Sequence, residues 1–450
     1  FEALQLAEWI TSMQPTYPSV WSYQGFDLSF NVSVNFTEPE ERWRWVLAGI
    51  ELLRDKGLQY NPDWQTNTVI RHELINIFYS KLMGASDVET RYFQDQWTIQ
   101  MLQYFGTGKR RELEAINNAH ANVEELLQES AVKEFAEVLI QRGVSLREVI
   151  AKTQTPAGFV QNGLSMTKNF TPGLVMCYRY LQKTLIPQKL KMDIARMLKW
   201  DEQYGPLDWR SHEAQIIYWG MEQDYEQFKS DGTNYSSYVR EAMLSSFRNG
   251  RIQVHPKTGV ISRTHNLQVL ARLHEFFDFL LYKSLKKGSP RWHKENLIHK
   301  EFLQQAIVIT YMYNQEDASR ELYAHYRSYM DRPLGFKQYI VRAMSNSLRH
   351  GSYKNQRSFI ESILNKALQS TETAQWDVYK SYYKLAALVH SSHQRRSTPG
   401  KQLPPFKDLF AAAKQSYFEA KEGSDDALTQ FEERESLYKK PAPLSTGTHH

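Results

Sequence analysis

The chain has 450 residues, the length of about two to three domains or of one elongated repeat array. With 41% hydrophobic, 13% aromatic and 23% charged residues, and with 21 Gly and 16 Pro, its bulk is not disordered, collagen-like or of low complexity. The 55 Lys and Arg against 50 Asp and Glu leave +5, with both signs interspersed, too small and too dispersed an excess to point to nucleic acid.

In chain order, the sequence opens at Phe1 inside a helical pattern and without an initiator Met, an opening expected where an upstream segment has been cut away. Ala3, Ala7 and Ile10 read as the inner face of a closing helix that Pro15 ends. Trp21 follows six residues later, and Gly25 and Leu28 continue the next helix. Residues 42–60 read as its partner, Asn61-Pro62 ends it, and a further helix starts near Thr68 with Glu73, Ile75 and Phe78. This pairing of helices, with a large aromatic early, small residues at the crossing and Pro closing, is the signature of a tetratricopeptide (TPR)-like unit. From about residue 84 the register becomes irregular, which predicts a divergent array with inserted loops.

Apolar residues at three- and four-residue spacing predict helices over 42–56, 68–83, 111–142, 190–204, 268–287, 297–314, 318–329, 355–369 and 374–392. Between 144 and 175 Gly and Pro punctuate a stretch of weak periodicity, expected to form a loop or the seam between two helical lobes. The expected divisions are repeats over 1–143, that seam, a second lobe over 176–391, a linker over 392–405, and a terminal helix with a flexible tail over 406–450. Within the second lobe, 251–262 reads as a small inserted β-hairpin about a Pro256-Lys257-Thr258-Gly259 turn. The closing Thr448-His449-His450 reads as the remnant of an affinity tag. The fold class expected is therefore all-α, a divergent TPR-like solenoid or superhelical bundle with one hairpin.

No uninterrupted apolar run reaches the ~20 residues that span a bilayer. Cys177, the single cysteine, excludes an intramolecular disulfide framework and a cysteine-rich zinc site, and reads as a packed core residue. His72-Glu73, His212-Glu213 and His274-Glu275 lack the second His of a zincin helix, and Glu295 with His293 and His299 lacks di-iron spacing, so no metal site is expected. Gly106-Thr107-Gly108-Lys109-Arg110 lacks P-loop spacing and reads as a helix-to-helix turn; no cofactor is expected.

The densest cluster of special residues runs from Gly205 to Trp219. Gly205-Pro206 breaks a helix, Asp208 or Ser211 can cap the next, and two readings follow. In one, Asp208, Trp209, Arg210, His212, Glu213, Tyr218 and Trp219 line a contact surface. In the other, this is a capped helix start whose aromatics pack inward. Asp201, Glu202, Asp208, Glu222 and Asp224 beside Trp200, Trp209, Trp219 and Tyr225 offer a rival reading, a carboxylate pair near 201–224 in a helical-toroid glycosidase. The 26 Tyr fit either inter-repeat packing or a concave binding face.

Pro15, Trp43-Arg44-Trp45, the stretch from Gly49 to Pro62, Gly205-Pro206-Leu207-Asp208-Trp209-Arg210 and Gly250-Arg251-Ile252 together resemble a family of uncharacterised, membrane-anchored helical-repeat proteins of planctomycete and verrucomicrobial bacteria. The resemblance covers roughly residues 1–290 and departs over 68–83, where Arg71 to Tyr79 keeps only the outline of the helix. It implies an N-terminal membrane anchor with the helical body outside the bilayer, on either side, and carries over no catalytic residues. The function expected is a non-enzymatic scaffold or adaptor that binds a protein or peptide and no nucleic acid. The glycosidase and a structural subunit of a membrane-associated assembly are the alternatives.

Overall fold

In the computed structural model the described residues are 2–63, 65–84, 87–167, 171–221, 235–255, 258–313, 315–332, 334–349, 356–373, 375–396, 402–419 and 424–439. They are mostly helical, with one two-stranded antiparallel sheet. The chain forms two compact units, one of residues 1–252 and 265–287, the other of 253–264 and 288–450.

The first unit begins with α1 (Glu2–Met13), α2 (Pro18–Phe26), α3 (Pro39–Glu51), α4 (Leu58–Tyr60), α5 (Thr68–Ile77) and α6 (Thr90–Phe105). The spacing of Pro15, Trp21 and Asn61 has a hydrogen-bonded cause. Trp21 Nε1 and Asn61 Nδ2 both donate to the Pro15 carbonyl, at 2.8 and 3.0 Å, and Asn67 Nδ2 donates to that of Asn61. The chain after α1 is thereby fastened to the start of α5. As expected, Ala7 is buried and Ala3 and Ile10 half-buried. A Cβ on Gly49 would lie 2.0 Å from Ser29 Oγ and 2.8 Å from the Gly25 carbonyl, so only glycine allows α3 this approach. After α5, in the wider turn Phe78–Met83, the buried Lys81 ammonium meets Asp87 at 2.9 Å, and Arg42 reaches the same carboxylate at 2.8 Å.

Next come α7 (Arg110–Asn117), α8 (Val123–Leu126), α9 (Ser130–Ile140), α10 (Leu146–Lys152), α11 (Pro156–Thr167) and α12 (Pro172–Leu185). The expected irregular stretch over 144–175 is thus largely helical. Pro156 and Pro172 stand at first helical turns, where proline's missing N–H is no loss, and Thr171 Oγ1 caps α12 by accepting from Leu174 N. These helices share a core of Leu126, Phe135, Leu139, Phe159, Leu174 and Cys177. Burial pushes the Cys177 thiol up to about 12, so it stays protonated and inert, as its apolar neighbours suggest.

The unit closes with α13 (Ile194–Tyr204), α14 (His212–Gly220), α15 (Tyr235–Asn249) and α16 (Leu270–Asp278). Strands β1 (Arg251–Val254) and β2 (Ile261–Thr264) form the expected hairpin; Pro256 and Lys257 of its turn lie outside the described residues.

The second unit holds α17 (Pro290–Met312), α18 (Glu316–Tyr326), α19 (Phe336–Arg349), α20 (Gln356–Thr371), α21 (Trp376–Arg396), α22 (Phe406–Glu419) and α23 (Ser424–Lys439). Ser262 Oγ and Thr264 Oγ1 bond to Thr373 and Gln375 in this unit, so the hairpin packs at the α20–α21 connection. Two expectations change here. Where an exposed linker over 392–405 is expected, α21 continues to Arg396, and Gln394 exchanges two hydrogen bonds with Leu403. Where a flexible tail is expected, α23 docks by burying Phe431 against Trp376 and Phe418, with Tyr379 donating to Glu435. The last residues, 440–450, lie outside the described ones.

Candidate functional site

The seven candidates from Asp208 to Trp219 do come together, inside the first unit. Trp209 is 0% exposed and Asp208, at 7%, is the most exposed of them.

Three loops converge at this place. Asp208 accepts from Arg210 Nε at 2.8 Å and Nη2 at 2.6 Å, a bidentate pair. Arg210 also donates to the Ile252 carbonyl at 3.0 Å, and Trp209 N donates to the Gly108 carbonyl at 3.0 Å. The α6–α7 connection is therefore held to the α13–α14 connection, and both to the start of β1. Gly108 has φ +66, and a Cβ there would lie 2.7 Å from Asp208 Oδ1, so glycine is required on both counts. The Gly106-Thr107-Gly108 turn does join two helices, as expected, and Glu112 at the start of α7 accepts from Thr107 and from Arg179.

Asp201, on α13, is 2% exposed. Its Oδ1 accepts from Leu207 N at 2.9 Å and Trp209 Nε1 at 3.3 Å, and its Oδ2 lies 3.6 Å from Arg110. Burial raises its pKa, and the contacts from Leu207, Trp209 and Arg110 pull the other way.

Ser211 caps α14 by accepting from Ala214 N at 3.1 Å. Along α14, His212 Nε2 stands 3.4 Å from Glu213 Oε1, which accepts from Ser245 Oγ at 2.7 Å. Tyr218 OH accepts from Asp193 N at 2.8 Å, while Arg196 lies 4.8 Å from its ring centroid. Trp219 meets Tyr218 edge-on.

This arrangement locks connections together. Asp201 and Asp208 are committed to internal donors, Glu202 is exposed, and Glu222, Asp224 and Tyr225 lie outside the described residues. Neither aspartate lines a cleft of about 380 Å³ in the first unit, between Leu102, Gly106, Val160, Leu174 and Tyr178. Among the described residues no group of three or more His, Cys, Asp or Glu converges to hold a metal, and no helix is long and apolar enough to cross a membrane.

Among the described residues, an exposed apolar surface lies elsewhere, on α1. Leu6, Trp9 and Met13, at i, i+3 and i+7, are 54%, 58% and 78% exposed. They share one face, opposite the packed Ala7 and Thr11. Tyr17, just beyond, is also exposed. Once Ala3, Ala7 and Ile10 are turned inward, this second stripe is the signal in the sequence that was there to be found.

Comparison with family profiles, curated proteins and solved structures gives no match for this chain.

Proposed function

We propose that this chain is a non-enzymatic scaffold that docks a protein partner on the exposed face of α1. The observation that carries the reading is the Leu6, Trp9 and Met13 stripe, with a tryptophan more than half exposed at its centre. Soluble monomers seldom display an ordered apolar helix face, and tryptophan is the residue type that most often dominates interface energies. The stripe has the i, i+3, i+7 spacing by which helices dock against helices, so an amphipathic helix of the partner is its natural complement. The fastening of Pro15 by Trp21 and Asn61, and the glycine-mediated approach of α3, support a divergent TPR-like solenoid as the frame. The extramembrane placement of a membrane-anchored protein rests on the sequence resemblance alone.

The test is co-purification from native membranes with the wild-type chain and with Leu6, Trp9 and Met13 all changed to aspartate. A discrete partner is expected with the wild type and absent with the variant, whose helical circular dichroism and melting temperature stay unchanged because these side chains are exposed. A partner retained by the variant, or none with either chain, refutes the reading.

A further inference from the structure

The second unit contains a cleft of about 600 Å³ lined from α17, α18 and α19, a size that suits a peptide- or drug-sized ligand. Its floor is apolar and aromatic: Val308 and Ile309 from α17, Tyr326 from α18, Tyr339 from α19, and Met330 and Leu334 from the connection between. The Tyr326 and Tyr339 ring centroids are 5.3 Å apart. The wall is fastened from behind, since Tyr323 OH donates to the Leu334 carbonyl and Tyr329 OH to Asn296. A floor already held in place needs little ordering when a ligand arrives.

The rim differs in character. Gln304, Gln305 and Arg342 line the cleft and are exposed. Gln304 donates its amide to Tyr326 OH and keeps a carbonyl oxygen as acceptor. Arg342 has no acidic partner among the described residues.

The sequence around this rim breaks the even mixing of charge found along the chain. Over 327–342 it has Arg327, Arg332, Lys337 and Arg342, all exposed, against Asp331 alone, four minus one, or +3. Such a surface draws anionic ligands.

We propose that this cleft takes the C-terminal end of a peptide. The apolar last side chain lies on the tyrosine floor, the terminal carboxylate pairs with the Arg342 guanidinium, and the peptide groups bond to Gln304 and Gln305. A guanidinium matches a carboxylate through two parallel hydrogen bonds. The glutamines favour a peptide over a fatty acid, which has no amide groups to meet them. The inference is independent of the α1 face, which belongs to the other unit.

The test uses the full chain and fluorescent pentapeptide pools, randomised except for a fixed last residue, each made as free acid and as C-terminal amide. Pools ending in leucine, valine or phenylalanine should bind as acids, and about tenfold or more weakly as amides. Binding of the acids should fall as salt rises. Arg342→Gln should erase the preference for acid over amide without moving the melting temperature, and Val308→Arg, which fills the cleft, should abolish binding of both. Equal binding of acids and amides, binding of no pool, or an unchanged preference in Arg342→Gln overturns the proposal. Oleate binding with displacement of the peptides would overturn it in favour of a lipid.

Discussion

Replacing Arg210 by alanine is expected to lower the unfolding free energy by about 3–5 kcal/mol in urea titration, the range found when one partner of a buried ion pair is removed. The reason is the position of Asp208, whose two oxygens both rest on the Arg210 guanidinium inside the protein. Without that guanidinium the carboxylate must either stay charged without its partner or take up a proton. The Ile252 carbonyl loses its donor in the same step. Arg210→Lys should recover part of the loss, because an ammonium restores the charge but not the fork. The double change of Asp208 and Arg210 to alanine should be less damaging than the sum of the single changes, since each single change already forfeits the shared interaction. A loss below about 0.5 kcal/mol for Arg210→Ala, the scale of an ordinary surface substitution, would mean that the pair does not hold the fold.

The second large effect is expected at Asp87. Asp87→Asn keeps the shape but leaves the Lys81 ammonium buried beside Arg42 with no anion between them. Like charges in a desolvated place are unfavourable on both counts, and a loss of about 3–5 kcal/mol is again expected. Asp87→Asn should differ from wild type in its response to acid. Burial opposes the charge of Asp87, but hydrogen bonds from Lys81 and Glu89 N and the charges of Lys81 and Arg42 outweigh it and hold the pKa below the usual aspartate value. A carboxylate depressed on folding stabilises the native state fully above its unfolded pKa, near 3.9. That stabilisation disappears as pH falls through the lower, folded value. Wild type should therefore lose this component as pH drops below about 4. Asp87→Asn should be uniformly less stable at neutral pH and lack that component. Parallel pH profiles for the two proteins would contradict the assignment.

Much of the fold can be read from residues that act locally. The helix-forming periodicity, the Pro15 and Trp21 spacing, the inner face of α1 and the capping role of Ser211 depend on neighbours within about two helical turns. The hairpin is legible for the same reason. The places where the reading failed depend on distant partners or on the position of a residue within an element. Pro156 and Pro172 look like breaks in a loop, yet each opens a helix, and only the residues after them distinguish the two roles. The tail looks soluble until Phe431 is seen to pack against Trp376, more than fifty residues away. Asp208, Arg210, His212 and Glu213 read either as the polar contacts of a binding surface or as part of a capped helix start. Their burial follows from contacts with Gly108, Ser245 and Ile252, which local spacing does not reveal.

The same distinction separates internal support from docking surface. A charged cluster draws attention in a sequence, and here Asp208 and Arg210 satisfy each other inside the unit while Glu213 accepts from Ser245. The Leu6, Trp9 and Met13 stripe is inconspicuous because apolar helix residues are expected to be buried, and here they are not.

Hydroxyl-radical footprinting of the tryptophan and methionine side chains, in the free protein and after addition of native membrane extract, tests this most directly. The account predicts that Trp9 and Met13 oxidise rapidly in the free protein and become protected on addition of extract, while Trp209 and Trp219 stay protected throughout. Rapid oxidation of Trp209 or Trp219 in the folded protein, or an unchanged rate at Trp9 with extract present, would contradict it.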